Sequence, residues 1–164
     1  MALTPQQLPA LKAAILAETD PGFVFARENG QTGVMAAFFN DASTFVVYKN
    51  SETVASVGQS VNYVAFEALT TANLEKINTF TRLNMQTFPP SKADVRAFWA
   101  NVFSGALGGQ GQATRDALEA LWRRFAKRGE RIYATGAGTT LAPGALGYEG
   151  NITDTDVSNA LQLP

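Results

Sequence analysis

The chain contains neither histidine nor cysteine. The commonest general base and metal ligand is therefore missing, and a thiolate zinc site, a cysteine nucleophile and a disulfide scaffold are excluded. Carboxylates, hydroxyls, tyrosines and basic side chains remain. Glu67, Glu75 and Glu119 are of the type that can share acid and base work when their environments tune them apart, but no spacing joins them. A Ser or Thr nucleophile would need a Lys or carboxylate as its base, and Lys12, Lys49, Lys76, Lys92 and Lys127 all stand in locally polar sequence. Gly108, Gly109 and Gly111 precede a helical stretch, as in a phosphate-cradling loop. The Gly-Lys-Ser/Thr ending and the feeding strand of such loops are absent, so a hairpin turn is the reading. Glu149, Asp154 and Asp156 could meet a hard cation through oxygen, yet they lack the twelve-residue calcium-loop pattern and read as helix-start charges. These residues predict a protein that is not an enzyme, with no cofactor, no metal and no small-molecule substrate. Asn151-Ile152-Thr153 matches a glycosylation acceptor by pattern, without a secretory signal before it.

One cluster does suggest a function. Arg123, Arg124, Lys127, Arg128 and Arg131 fall within nine residues. On a helix, Arg123 with Lys127 and Arg124 with Arg128 would be like-charged i,i+4 neighbours that repel by a few tenths of a kcal/mol. Cations at a helix C-terminus favour its dipole, and Glu119 and Glu130 compensate in part. That explains two charges better than five, so the cluster predicts an acidic partner surface or passing DNA. The charge along the chain is segmented to match. Residues 1–70 carry three basic and six acidic side chains, residues 71–131 ten and five, and residues 132–164 three acidic ones only. A basic flank of one copy could thus meet the acidic segment of the next, with Glu149, Asp154 and Asp156 as its carboxylates. The total of -1 at pH 7 argues against a dedicated nucleic-acid binder.

The elements that must position these residues are mostly helical. Thr4, Pro5 and Gln7 read as a helix start for residues 4–17, with Pro9 as a complication that delays or bends it. Asp20 and Pro21 repeat the start signal, and Asn29-Gly30 the stop. Residues 31–40 are too apolar all round for a surface helix. Residues 44–48, Thr-Phe-Val-Val-Tyr, are β-branched and aromatic and predict the best strand. Val54, Val57, Val61, Val64 and Phe66 fit neither period. A helix is expected over 71–88, with Leu74, Ile77, Met85 and Phe88 on one face and Phe80 and Leu83 elsewhere, ended by Pro89-Pro90. Another is expected over 91–104, where Val95, Phe98, Trp99 and Val102 form one stripe contributing about 1.5–3 kcal/mol each before entropy. Four glycines within residues 105–111 separate it from a helix over 113–128, with Leu118, Leu121, Trp122 and Phe125 on its stripe and Gly129 as a left-handed cap. The two would form a hairpin with Trp99 and Trp122 in one core. Thr153 with Asp154 and Asp156 starts a last helix.

At 164 residues, with 46% hydrophobic side chains and eleven Phe, the chain can bury roughly two-thirds of its unfolded surface. No apolar run reaches membrane-spanning length, and the start lacks the segments of a signal peptide, so synthesis in the cytoplasm is expected. The fold class predicted is mainly α, a helical bundle or hairpin core with a small β element and an extended C-terminal segment. The expected division is a globular domain over 1–134 and a Gly/Thr-rich tail over 135–164, loose and protease-sensitive until assembly orders it.

Several segments carry a resemblance: Ala2-Leu3-Thr4-Pro5-Gln6-Gln7-Leu8, Pro90-Ser91-Lys92-Ala93-Asp94-Val95-Arg96-Ala97, Ala134-Thr135-Gly136-Ala137-Gly138-Thr139, Tyr148-Glu149-Gly150 and Asp156-Val157. Through them the chain resembles, over nearly its whole length outside residues 44–69, a family of small virion proteins encoded in the structural gene blocks of tailed bacteriophages. Size and helical content are similar to those of a head-to-tail adaptor. The resemblance implies a homo-oligomeric ring between portal and tail components, a location in the virion, contact with packaged DNA and no membrane. Capsid decoration, tail completion and a cytoplasmic assembly module are the alternatives.

Overall fold

The computed structural model describes residues 2–83, 85–104 and 107–164. It is mainly α, with small strand pairs. In chain order the elements are α1 (Leu8–Ala17), α2 (Pro21–Glu28), α3 (Thr32–Asn40), β1 (Ala42–Tyr48), β2 (Glu52–Thr53), α4 (Val54–Ser60), α5 (Tyr63–Glu67), α6 (Thr71–Arg82), β3 (Thr87–Phe88), α7 (Ala93–Val102), α8 (Gly108–Trp122), β4 (Arg123–Lys127), α9 (Arg128–Arg131), β5 (Ala134–Thr135), β6 (Ala145–Leu146) and α10 (Asp154–Leu161). The chain forms two compact units. The first comprises residues 2–47 and 125–164, and the second, residues 48–124, is inserted between them.

The first unit is built on α1, α2, α3 and α10. Asp20 accepts the Phe23 N–H at 3.0 Å and Pro21 opens α2, a side-chain cap followed by a residue with no N–H to satisfy. At Gly30 the chain turns with φ 64, a left-handed conformation that glycine adopts without penalty. Leu11, Ile15, Phe23, Met35, Phe39, Ile152 and Val157 form its core. The rings of Phe23, Phe38 and Phe39 meet at centroid distances of 4.7 to 5.7 Å. α1 starts at Leu8, later than expected, with Pro9 accommodated in its first turn. The Gln7 side chain accepts the Thr4 N–H at 2.9 Å, so the start signal is used as a turn ahead of the helix.

Residues 135–164 are no tail. Val46 of β1 donates to the Gly138 carbonyl and accepts from the Gly144 N–H, both at 2.8 Å. A Cβ added at Gly138, whose φ is 64, would lie 2.1 Å from the Phe45 ring, and one at Gly144 2.3 Å from it. The glycines that read as flexibility instead let the backbone close around an aromatic side chain. α10 packs on α1 and α3 and contributes Val157 and Ala160 to the core. The boundary expected at residue 134 does not divide the structure, since residues 125–164 belong to one compact unit with residues 2–47.

The second unit gathers Val57, Val61, Ala65, Leu69, Phe88, Trp99, Val102, Phe103, Leu118 and Trp122 into its own core. Trp99 and Trp122 share that core as expected, joined through Phe88 at centroid distances of 5.7 and 6.2 Å. Residues 51–69 resisted periodicity because two short helices share them. Thr53 caps α4 by accepting the Ser56 N–H, and Asn62 caps α5 by accepting the Val64 N–H, each at 3.0 Å. The expected helix over 71–88 ends at Arg82, and Thr87–Phe88 instead pairs antiparallel with Glu52–Thr53. Phe88 precedes a proline and is pushed toward extended backbone; its side chain is buried from a strand, while Met85 is 38% exposed. The side chain of Phe80 and the whole of Gly105 lie outside the described residues. α7 runs from Ala93 and α8 from Gly108, and Gly111 sits inside α8, where a Cβ would lie 2.9 Å from the Ser104 carbonyl oxygen.

Candidate functional site

The basic cluster does not lie on a helix. α8 ends at Trp122, and residues 123–127 form β4, which pairs with β1. Nothing in Arg-Arg-Phe-Ala-Lys breaks a helix; its backbone is taken by other partners. The Ala126 carbonyl accepts from the Ser43 hydroxyl at 2.7 Å, and the Arg128 N–H donates to the Asp41 carbonyl at 2.9 Å. The like-charged i,i+4 pairs are therefore absent, Phe125 is largely exposed, and Gly129 is no cap. Gly129 lies buried in α9, where a Cβ would lie 2.5 Å from Ile152.

Each residue of the cluster has its own setting, and the two units divide them. In the second unit, Arg123 pairs with Glu119 at 2.8 Å, and Glu119 also accepts the Tyr48 hydroxyl at 3.0 Å. Burial, and then the neighbouring Glu119 carboxylate, push the Tyr48 phenol upward. Arg124 is half-buried on β4. In the first unit, the Lys127 ammonium donates to the Asn151 side-chain carbonyl. Arg128 is exposed and its guanidinium lies 3.9 Å above the Phe38 ring. Arg131 is exposed as well.

Arg128 and Arg131 come together on the wall of a groove of about 900 Å³, with Phe38, Ser43, Glu18 and Asp20 among its other residues. The two carboxylates are already committed to backbone. Glu18 accepts the N–H groups of Thr19 and Asp20 at 2.9 and 3.0 Å, and Asp20 caps α2. The arginines carry no such backbone duty among the contacts described. A guanidinium stacked on an aromatic face is held in place while its N–H fork stays open to a partner carboxylate or phosphate.

The acidic candidates also separate. Glu149 and Asp154 are exposed. Asp156 is 3% exposed, and its carboxylate accepts from Leu3 N–H at 3.1 Å and from Thr153 N–H and hydroxyl at 2.9 and 2.7 Å. It is a buried capping residue that ties the N-terminal segment to α10, and it cannot serve as an interface carboxylate. Glu130, read only as a compensating charge, is 1% exposed and accepts the N–H groups of Lys127 at 2.9 Å and Gly150 at 3.2 Å. Its sequence signal was the three-residue spacing from Lys127, which places a carboxylate beneath the N-terminus of α9. The importance of Phe38 and Tyr48 as ring platforms for Arg128 and Arg96 had no local signal, because each pair forms only in the tertiary structure.

Among the described residues no group of three or more acidic side chains is placed to hold a metal ion, and no helix is long and apolar enough to cross a membrane. Comparison with protein-family models, with curated proteins and with solved structures finds no match to the chain.

Proposed function

We propose that the chain is a non-enzymatic structural subunit of a tailed-bacteriophage particle, of the head-to-tail adaptor type, made in the host cytoplasm and incorporated into the virion. The resemblance described above motivates the class. The observation that carries the assembly role is the groove of the first unit, where Arg128, stacked on Phe38, and Arg131 stand exposed on one wall. In a closed ring one patch of each copy meets a different patch of its neighbour. The exposed carboxylates of Glu149 and Asp154 are the charges this pair would meet, on a neighbouring copy or on a portal or tail component of like character, and packaged DNA offers phosphates to the same guanidiniums.

Mass spectrometry of purified particles tests the class: stoichiometric presence supports a virion component, and absence from particles in cells that make the protein favours the cytoplasmic assembly module. Substitution of both Arg128 and Arg131 by Glu tests the groove. The variant is expected to fold normally and to block particle completion, and normal particle yield would remove the groove from the account.

A further inference from the structure

The second unit contains a pocket of about 270 Å³ that the assembly reading does not use. Its deep end is aromatic. Trp99 and Phe103, 1% and 0% exposed, both line it, and their rings lie nearly parallel, 8° apart in plane with centroids 6.5 Å apart. Val57, Val61 and Ile77 add aliphatic wall, while Tyr63 and Phe66, 74% and 39% exposed, stand where the pocket meets solvent. Among the described residues that line it none is charged, and its polar side chains are those of Gln59 and Tyr63, both exposed.

Such a lining decides what the space can hold. A buried water needs two to four polar partners, which aliphatic and aromatic walls do not offer. An ionised group would surrender its hydration without meeting a counter-charge. A neutral ring, by contrast, gains from the apolar area it removes from water and from the edge and face contacts that aromatic pairs add. An apolar cavity of about 150 Å³ holds benzene, so this pocket has room for two fused rings.

Gly58 supplies a separate observation. It lies inside α4 and lines the pocket, its φ is outside the left-handed range, and a Cβ added to it would meet nothing within 4 Å. Neither close packing nor backbone conformation calls for glycine here, although glycine inside a helix costs stability relative to alanine. What the missing side chain does is leave the pocket wall open.

We infer that this pocket binds a small, neutral, bicyclic aromatic molecule, with its rings against Trp99 and Phe103 and any hydroxyl it carries left at the Gln59 and Tyr63 end. The inference is independent of the phage reading, since it rests on the second unit alone.

2-Naphthol and the anion 2-naphthoate are the probes, and the methyl resonances of Val57, Val61 and Ile77 in the full chain are the readout. 2-Naphthol is expected to shift all three saturably with a single dissociation constant, and 2-naphthoate to bind at least about tenfold more weakly. Absence of a saturable shift up to the solubility of 2-naphthol, shifts confined to methyls outside the pocket, or equal affinity for the anion overturns the inference without recourse to any variant. Gly58→Leu, which puts a side chain on the open wall, is expected to fold and to weaken 2-naphthol binding by at least about tenfold. Unchanged affinity in the folded variant places the probe elsewhere and overturns the inference as well.

Discussion

In each unit an arginine lies over an aromatic ring at nearly the same distance, Arg96 over Tyr48 at 3.8 Å and Arg128 over Phe38 at 3.9 Å. The pair contact is alike, and its surroundings are not. Tyr48 carries a hydroxyl that reaches Glu119, which in turn holds Arg123, and Arg96 is itself pinned by two backbone carbonyls. Phe38 has no polar tip, and Arg128 stays exposed. The first arrangement is a closed network half out of water and the second an open cation on a greasy platform. A cation–π contact therefore does not say what an arginine is for; the groups attached to the ring and to the remaining N–H atoms do.

This contrast can be broken at several places. The largest effect is expected under the closed network. Trp122→Ala should cost about 3–5 kcal/mol, because the ring is buried beside Phe88 and its loss leaves a cavity. Denaturant unfolding measures it, and a loss below ~1 kcal/mol would mean that the second unit does not depend on this ring. Next comes the comparison of two acids two residues apart in the first unit. Asp156→Ala should cost about 2 kcal/mol, since it strands the buried Leu3 N–H and the part-buried Thr153 N–H. Asp154→Ala, at an exposed site, should stay within ~0.5 kcal/mol. Equal losses would restore Asp156 to the surface.

A smaller effect is expected with pH. Tyr133 donates to the Gln7 carbonyl at 2.9 Å, and burial, followed by the neighbouring Tyr148 and Asp156, pushes its phenol from the ordinary 10.0 up to about 12. The native state keeps this proton to higher pH than the unfolded chain does. Its stabilisation is complete below pH 10 and declines as pH rises from 10 to about 12. With solvent screening at a half-buried site the decline should be about 1 kcal/mol. Alkaline unfolding of Tyr133→Phe, which has no phenol to titrate, should show a shallower slope in that window, and an identical slope would reject the assignment. The smallest effects separate the two arginines. Arg96→Gln should cost about 1 kcal/mol, because it releases the two carbonyls and the Tyr48 platform, and Arg128→Gln less than ~0.5 kcal/mol. If the second loss equals the first, Arg128 is as built-in as Arg96 and the groove is not an open cation site.

Where local chemistry suffices, the residues read correctly. Asp20-Pro21 starts a helix, Thr153 with Asp156 caps another, and Thr44 to Tyr48 lie in a strand. Trp99 and Trp122 both reach one core. The candidate site was legible in part. Arg128 and Arg131 belong to the cluster singled out by charge, but the cluster as a helix face does not exist, and Asp156 was assigned to the surface because its carboxylate looked like its neighbour's.

What the sequence alone determined is what depends on a few adjacent residues: caps, stops, apolar stripes, the absence of histidine and cysteine, and the segmented charge. Tertiary structure alone decided the rest. Residues 123–127 are a strand because β1 offers a ladder that their own helix propensity does not oppose strongly. Residues 135–150 are a wrapped segment because Gly138 and Gly144 leave room for Phe45, about ninety residues earlier in the chain. Propensities of a fraction of a kcal/mol per residue settle a segment only when nothing distant competes. Here an aromatic ring and a strand edge each contribute more than that, and neither is next to the residues it governs.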